Sequence, residues 1–277
     1  MTHRIEIINS ETPALRPYIN IPQPKWDEIM ENDDAAINFG RAVLTKFETI
    51  DKDKLQFWRL HKGHKFYVDL KDENGAMKEI ISDFLLHGEY EPHTVKLIEK
   101  HVKEGDTAVD IGASIGVLTM HLAKAVGNSG KVHAFEPTKN QFEYLKKNIE
   151  INGYSKNVEP HNSGAWSAAT SIKLKTNLGA EESSDVYALD TILPSKVDFI
   201  KVDVDGAEPE VLKGLEQTII RNPQLKMIIE YYPQYIKNMG LNPQDMLDFL
   251  DKYFTYEKVE GDLSSNEYWN YFCTRKS

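Results

Sequence analysis

The chain has 277 residues, 40% hydrophobic and 27% charged, with a formal net charge of -10. That balance excludes wholesale disorder and permits a substantial buried core. The acidic total argues against a nucleic-acid backbone or an anionic membrane surface as partner, because both are gripped by exposed Lys and Arg; the lone Cys273 excludes an internal disulfide or a thiolate metal cluster.

The N-terminal segment MTHRIEIINSETPALRP lacks the apolar core of a signal peptide. No run of about 18 apolar residues follows, so the expectation is a cytoplasmic protein. Residues 1–88 read as an irregular extension. Trp26 to Leu44 suits a helix, KFYVDL at Lys65–Leu70 alternates like a strand, and Asn74-Gly75 is a hairpin signal. Phe57, Trp58, Phe66 and Tyr67 give this part an aromatic load, suited to a small core or to an acceptor-site cover.

From about residue 89 strands and helices alternate. Val95 to Val102 suits a helix stopped near Gly105, and Thr107 to Ile111 is an apolar strand. A helix to Val126 follows, ending at Gly127, then a strand at Lys131–Phe135. Thr138 to Gln141 fits a capping box, and Gly153 a C-terminal cap. Further strands are expected at Val158–His161, Val197–Val202, Leu225–Ile229, Thr255–Val259 and Tyr268–Thr274. A helix carries Val211, Leu212, Leu215 and Ile219, and another opens at Pro243. This alternation predicts an α/β, Rossmann-like sheet with helices on both faces. Such sheets bind ligands beyond the carboxyl ends of their strands, where strand order reverses.

The unusual residues sit in those loops. VDIGASIG, Val109–Gly116, is a strand ending in an acid, a glycine turn and a helix start. Gly112 lets the backbone turn and a ligand approach closely, and Gly116 lets the helix begin near the strand. Asp110 would repel a pyrophosphate at this helix start, whereas the ammonium and sulfonium of S-adenosylmethionine suit a carboxylate. The dinucleotide pattern G-x-G-x-x-G is also missing, since Ala113-Ser114-Ile115 follow Gly112. Glu136 in HAFEP, 24 positions after Gly112, stands where an acid accepts the hydrogen bonds of a ribose diol. Asn162 and Ser163, after the third strand, are candidates for the adenine edge.

FIKVDVDGAE, Phe199–Glu208, ends a buried-looking strand in three acids, Asp203, Asp205 and Glu208. Glu230 ends the next strand and points to the same region. Carboxylates at such a place act as general base, orient an acceptor or bind a metal. Glu208 also suits a plain helix N-terminus. These four form the expected catalytic group, with no metal required; a divalent ion enters only if Asp203, Asp205 and Glu230 converge. His93, His133 and His161 are weaker candidate bases.

At these residues the chain resembles the FkbM-type methyltransferase family. The resemblance is carried by GEYEP (Gly88–Pro92), VDIGASIG, HAFEP, YALDTIL (Tyr187–Leu193) and DFIKVDVDGAE (Asp198–Glu208), over about residues 65 to 275. It implies a seven-stranded class I fold at 89–277 and S-adenosylmethionine as cofactor. It implies O-methylation of a hydroxyl on a sugar, polyketide or related metabolite. It further implies cofactor contacts by Glu91, Asp110, Gly112 and Glu136, and an active-site role for Asp203 and Glu208. With Ser114, Gly116, Asn162 and Ser163, these complete the expected cofactor set. The family usually has Asn where Ser114 stands, and Glu where Asp205 stands. Two other readings stay open: N-methylation, against which the Asp-Pro-Pro-Tyr type of motif is missing after Val202, and a non-catalytic nucleoside-binding partner protein.

Overall fold

A computed structural model describes residues 47–51, 56–69, 80, 90–175, 181–259 and 268–276. The chain divides into two compact units, Met1–Tyr90 with Lys175–Ala180, and Glu91–Leu174 with Glu181–Ser277. In the first, β1 (Phe47–Asp51), β2 (Gln56–His61) and β3 (His64–Asp69) form an antiparallel meander. The β2–β3 turn is Lys62-Gly63, with both residues at positive φ, the backbone that a two-residue hairpin demands. The sequence signal at Asn74-Gly75 and the helix expected over Trp26–Leu44 lie outside the described residues.

The second unit holds α1 (Pro92–His101), β4 (Thr107–Ile111), α2 (Val117–Val126), β5 (Lys131–Phe135), α3 (Lys139–Ile151) and β6 (Val158–His161). A small three-stranded sheet of β7 (Gly164–Ala165), β8 (Thr170–Lys175) and β9 (Glu181–Tyr187) follows. Then come β10 (Phe199–Val202), α4 (Glu208–Lys213), α5 (Glu216–Arg221), β11 (Lys226–Tyr231), α6 (Pro233–Asn238), α7 (Pro243–Tyr253), β12 (Phe254–Lys258) and β13 (Trp269–Arg275).

The main sheet has seven strands in the order β6-β5-β4-β10-β11-β13-β12. Five neighbouring strands, β6 to β11, run parallel, and β13 is antiparallel to both β11 and β12. The chain winds outward from β4 to β6, then returns to the other side of β4 with β10. The switch point is therefore the gap between β4 and β10, and the loops after these strands flank it.

Every residue of β10 is buried, as are Ala108 to Ile111 of β4. Alternation sends Val109, Ile111, Ile200, Val202, Met227 and Ile229 to one face, where they join Val211 and Leu212 of α4 and Met246 and Leu250 of α7. The opposite parity, including Asp110 and Lys201, faces α2, whose Thr119 bonds Asp110. Helices thus cover both faces of the sheet.

Two local expectations fail. Thr138 stands at the N-cap of α3, but its side chain caps no helix N–H, because the Glu136 carboxylate two residues earlier takes its hydroxyl and backbone N–H. The single helix expected over Val211–Ile219 is two, broken at Gly214. A Cβ there would lie 2.0 Å from the Trp166 carbonyl oxygen, so the backbone passes closer than a side chain permits. Among the described residues no helix is long and apolar enough to cross a membrane.

Candidate cofactor and acceptor site

Four strand ends are latched into one rim. Gly112 N and Ala113 N both donate to the Phe135 carbonyl at 3.0 Å, joining the β4 turn to the end of β5. Glu136 N donates to His161 O at 3.0 Å, and Asp203 N to Ile111 O at 3.0 Å. The Gly112 turn lies against the loop after β10 so closely that a Cβ on Gly112 would sit 1.7 Å from Asp203 O. Gly206 meets the α6 backbone likewise, its Cβ position being 2.5 Å from Tyr235 C. Both glycines have positive φ, +79° and +105°, so turn and close approach each exclude a side chain.

The organising charge of this rim is Lys201, which the sequence reading did not single out. It is the cross-strand neighbour of Asp110 in the β10–β4 register. Its Nζ donates to Gly112 O at 2.9 Å and lies 3.2 Å from Asp203 Oδ2 and 3.6 Å from Asp110 Oδ1. Burial by itself would depress the lysine's pKa. The carboxylates of Asp203, Asp110 and Glu91 more than offset it and hold the ammonium above the usual lysine range. A lysine inside the otherwise apolar Phe199–Val202 was the available signal, because a strand buried on both faces excludes an unpaired cation.

Asp110 is fully buried under the turn, with Oδ2 accepting from Thr119 Oγ1 at 2.5 Å. The structure thus places its charge on Lys201 and beneath the glycine turn rather than at the rim surface. Glu136 is 4% exposed. Its Oε2 accepts from Ser114 N at 2.8 Å and its Oε1 from Thr138 N at 2.7 Å. Burial nevertheless pushes its pKa up to about 7. Ser114 adopts the left-handed backbone, φ 51°, as does Asp205, φ 53°, a conformation that small polar residues tolerate. Gly116, φ +92°, caps α2, and a Cβ there would lie 2.6 Å from Leu145 Cδ1. Asn162 is exposed and ties down the rim through Glu136 O and Pro137 O at 3.0 and 3.2 Å; Ser163 beside it is buried.

The acids after β10 and β11 gather on the other side of the switch point. Glu208 is fully buried, and its Oε1 accepts from Val204 N at 3.1 Å and Gly206 N at 3.2 Å, fastening the loop. Burial pushes its pKa up to about 7 against those two hydrogen bonds. Glu230 is held well above the usual carboxylate range, first by burial, then by the charges of Asp203, Glu208, Asp205 and Glu91. Glu91 caps α1 from the left-handed region, φ 40°, and accepts from Asn270 Nδ2 at 3.3 Å. Asp203 is partly accessible, its side chain 28% exposed, and Asp205 beside it is exposed. The donor oxygens of Asp203, Asp205 and Glu230 do not close on a shared point. Among the described residues the one set of three His, Cys, Asp or Glu donors within 4.8 Å of one another is His133, Glu159 and His161. Those two histidines lie on the sheet's β5–β6 edge, where burial lowers both pKa values.

This rim fits S-adenosylmethionine. Ser114 Oγ is buried with no hydrogen-bond partner, Gly112 offers a surface without a Cβ, and Glu136 keeps lone pairs for a diol. The carboxylates also suit a cationic ligand better than a phosphate.

A family model described as the methyltransferase FkbM domain matches residues 110–258. The methyltransferase sdnD of Sordaria araneosa is 21% identical over 277 residues, covering 82% of this chain and 96% of the relative. A crystal structure of methyltransferase FkbM from Methylobacillus flagellatus is similar with a TM-score of 0.48 and 18% identity, covering 70% of this chain and 52% of that one. A protein from Streptococcus mutans described as a methyltransferase in complex with SAH gives a TM-score of 0.46 and 12% identity, over 66% of this chain and 96% of that one. With the family model spanning more than half of the chain, and a seven-stranded sheet whose switch-point rim fits the cofactor, this protein belongs to the FkbM methyltransferases, class I enzymes dependent on S-adenosylmethionine.

Proposed function

We propose that the chain methylates a hydroxyl oxygen on a sugar or other small metabolite, with Asp203 receiving the hydroxyl proton and Glu230 orienting the acceptor. The observation that carries this reading is the unequal surroundings of two carboxyls, Asp203 paired with Lys201 and Glu230 set among like charges. Asp203 has one oxygen, Oδ2, anchored on Lys201 Nζ at 3.2 Å and is partly open to solvent. Its Oδ1 is left to accept the O–H of an incoming group. Glu230, whose pKa burial and the surrounding carboxylates hold well above the usual carboxylate range, would donate a hydrogen bond from its protonated form. One acceptor and one donor fix the direction of a hydroxyl, as in-line attack requires.

S-adenosylmethionine, when bound, supplies an electrophilic methyl carbon on sulfur. The chain's residues do the rest. Glu136 would accept the ribose hydroxyls, Ser114 and Gly112 would line the close approach, and Glu208 keeps the Val204–Gly206 loop in place. The cofactor would supply its methyl carbon to the acceptor oxygen and keep the sulfur as a neutral thioether, and Asp203 Oδ1 would accept the hydroxyl proton.

An aromatic wall supports a sugar-sized acceptor. Tyr232 stacks on Tyr235 at 4.0 Å and on Tyr268 at 4.8 Å between ring centroids, and Gly206 abuts the Tyr235 backbone. Stacked rings beside a carboxylate suit an apolar sugar face with its hydroxyls presented at the edge. The net charge of -10 favours such an acceptor over a polyanion.

The test is methyl transfer from labelled S-adenosylmethionine to pooled sugars, small metabolites and RNA, with wild type and Asp203→Asn. Asp203→Asn should lower turnover by about 100-fold or more while leaving S-adenosylhomocysteine affinity nearly unchanged. Equal loss of both, or transfer to RNA alone, would sink the proposal.

A further inference from the structure

We propose that His133, Glu159 and His161 form a zinc site on the β5–β6 edge of the sheet, separate from the cofactor rim. The placement follows from strand geometry. His133 pairs with Glu159 and Phe135 with His161 in the parallel β5–β6 register. Side chains two apart on a strand share a face, so Glu159 and His161 stand on the same side as His133.

The donor atoms are already at coordination spacing. His133 Nδ1 and His161 Nε2 are 3.4 Å apart. Glu159 Oε2 is 3.8 Å from His133 Nδ1, and Glu159 Oε1 is 3.8 Å from His161 Nε2. Two donors about 2.1 Å from one tetrahedral zinc lie about 3.4 Å apart. The histidine pair matches that edge as it stands, and the carboxylate, half exposed, needs to swing only a few tenths of an ångström.

The rings are held in place before any ion arrives. His161 stacks flat on Phe135, centroids 4.4 Å apart and planes 10° from parallel. The two imidazole planes are 21° apart with centroids 5.6 Å apart, so the facing nitrogens point toward a common region near one plane. A neutral imidazole has one bare nitrogen to offer a metal.

Two imidazoles and one carboxylate select a borderline divalent ion such as zinc over magnesium or calcium, which prefer all-oxygen shells. Three protein ligands leave a fourth position for water. The Lys131 ammonium, 4.0 Å from Glu159 Oε2, is the competing partner of that carboxylate; it is exposed enough to turn away.

Zinc would join the edge strand β6 to β5 at His161, which precedes Asn162 and whose own carbonyl accepts from Glu136 N at 3.0 Å. The ion would therefore stiffen the outer half of the cofactor rim without entering it.

The experiment is calorimetric titration of the full chain with zinc chloride, with His133→Ala, His161→Ala and Glu159→Gln alongside, and thermal melts with and without zinc. Glu159 is on the surface, so its variant tests the site without risk to folding. Saturable one-to-one binding, a zinc-dependent rise in Tm, and at least about tenfold weaker binding in each variant are expected. Absence of saturable binding in folded wild type would overturn the proposal, the pair then being a simple ring–ring hydrogen bond. Binding undiminished in all three variants would overturn it equally, by placing the ion elsewhere.

Discussion

Replacing Lys201 with Met keeps the length and volume of the side chain and removes its charge. The ammonium contacts Gly112 O at 2.9 Å, Asp203 Oδ2 at 3.2 Å and Asp110 Oδ1 at 3.6 Å. Asp203 can turn toward solvent, but Asp110 is fully buried and keeps only Thr119 Oγ1. Leaving one member of a buried pair uncompensated costs about 3–5 kcal/mol, against a typical total of about 5–15 kcal/mol. At roughly 2–4 °C per kcal/mol for a chain of this size, Tm falls by roughly 6–20 °C. Adding Asp110→Asn removes the orphaned charge and should recover part of the loss, so the two changes are strongly non-additive. Thermal melts of the wild type, both single variants and the double variant measure this. The lysine's pKa is raised on folding. Its contribution is therefore complete below the ordinary lysine value and lost only above it, so the result should not vary between pH 6 and 9. A Lys201→Met variant melting within about 2 °C of wild type, or no recovery on adding Asp110→Asn, would refute the reasoning.

The remaining predictions concern the same rim. Glu136 has a pKa of about 7 in the free protein, and its ionised form accepts the ribose diol. S-adenosylhomocysteine should therefore bind about tenfold more weakly at pH 6 than at pH 8, and affinity flat across that range would contradict the role given to Glu136. The same elevated values give a stability signature. Glu136 and Glu208 hold protons that the unfolded chain releases near 4.5, so their contribution is complete below about 4.5 and gone by about 7. Melts of the free protein should show Tm falling over that window, in opposition to ordinary acid denaturation. Gly112→Ala puts a Cβ 1.7 Å from Asp203 O at φ +79°, between backbones that are both hydrogen-bonded in place. It should cost roughly 4 kcal/mol or more and abolish cofactor binding; calorimetry showing retained affinity would mean that the two loops are not packed as described.

Much of the core was legible locally. Asp110, Gly112 and Glu136 stand at strand ends because each closes a short apolar run, and periodicity alone marks such a run. Gly153 ends α3 at φ +75° for the reason that any helix stop favours glycine. Local signals failed where a neighbour competed for the same group. Thr138 fits a capping box, but Glu136 takes its donors. Val211 to Ile219 reads as one helix, but the chain forms two, with Gly214 between them where the Trp166 carbonyl leaves no room for a Cβ.

The sequence by itself determined the alternation of strands and helices, the glycine turn after β4 and the acids that end β4, β5, β10 and β11. Each of these depends on residues a few positions apart. Tertiary structure decided how those acids differ. Lys201 reaches Asp110 only because β10 returns beside β4, 91 residues later in sequence. That one crossover partners Asp110 and Asp203, while Glu208 is committed to a loop and Glu230 is left among like charges. Identical carboxyl groups thus acquire different partners, and burial raises the pKa of Glu208 and Glu230, which no local pattern encodes.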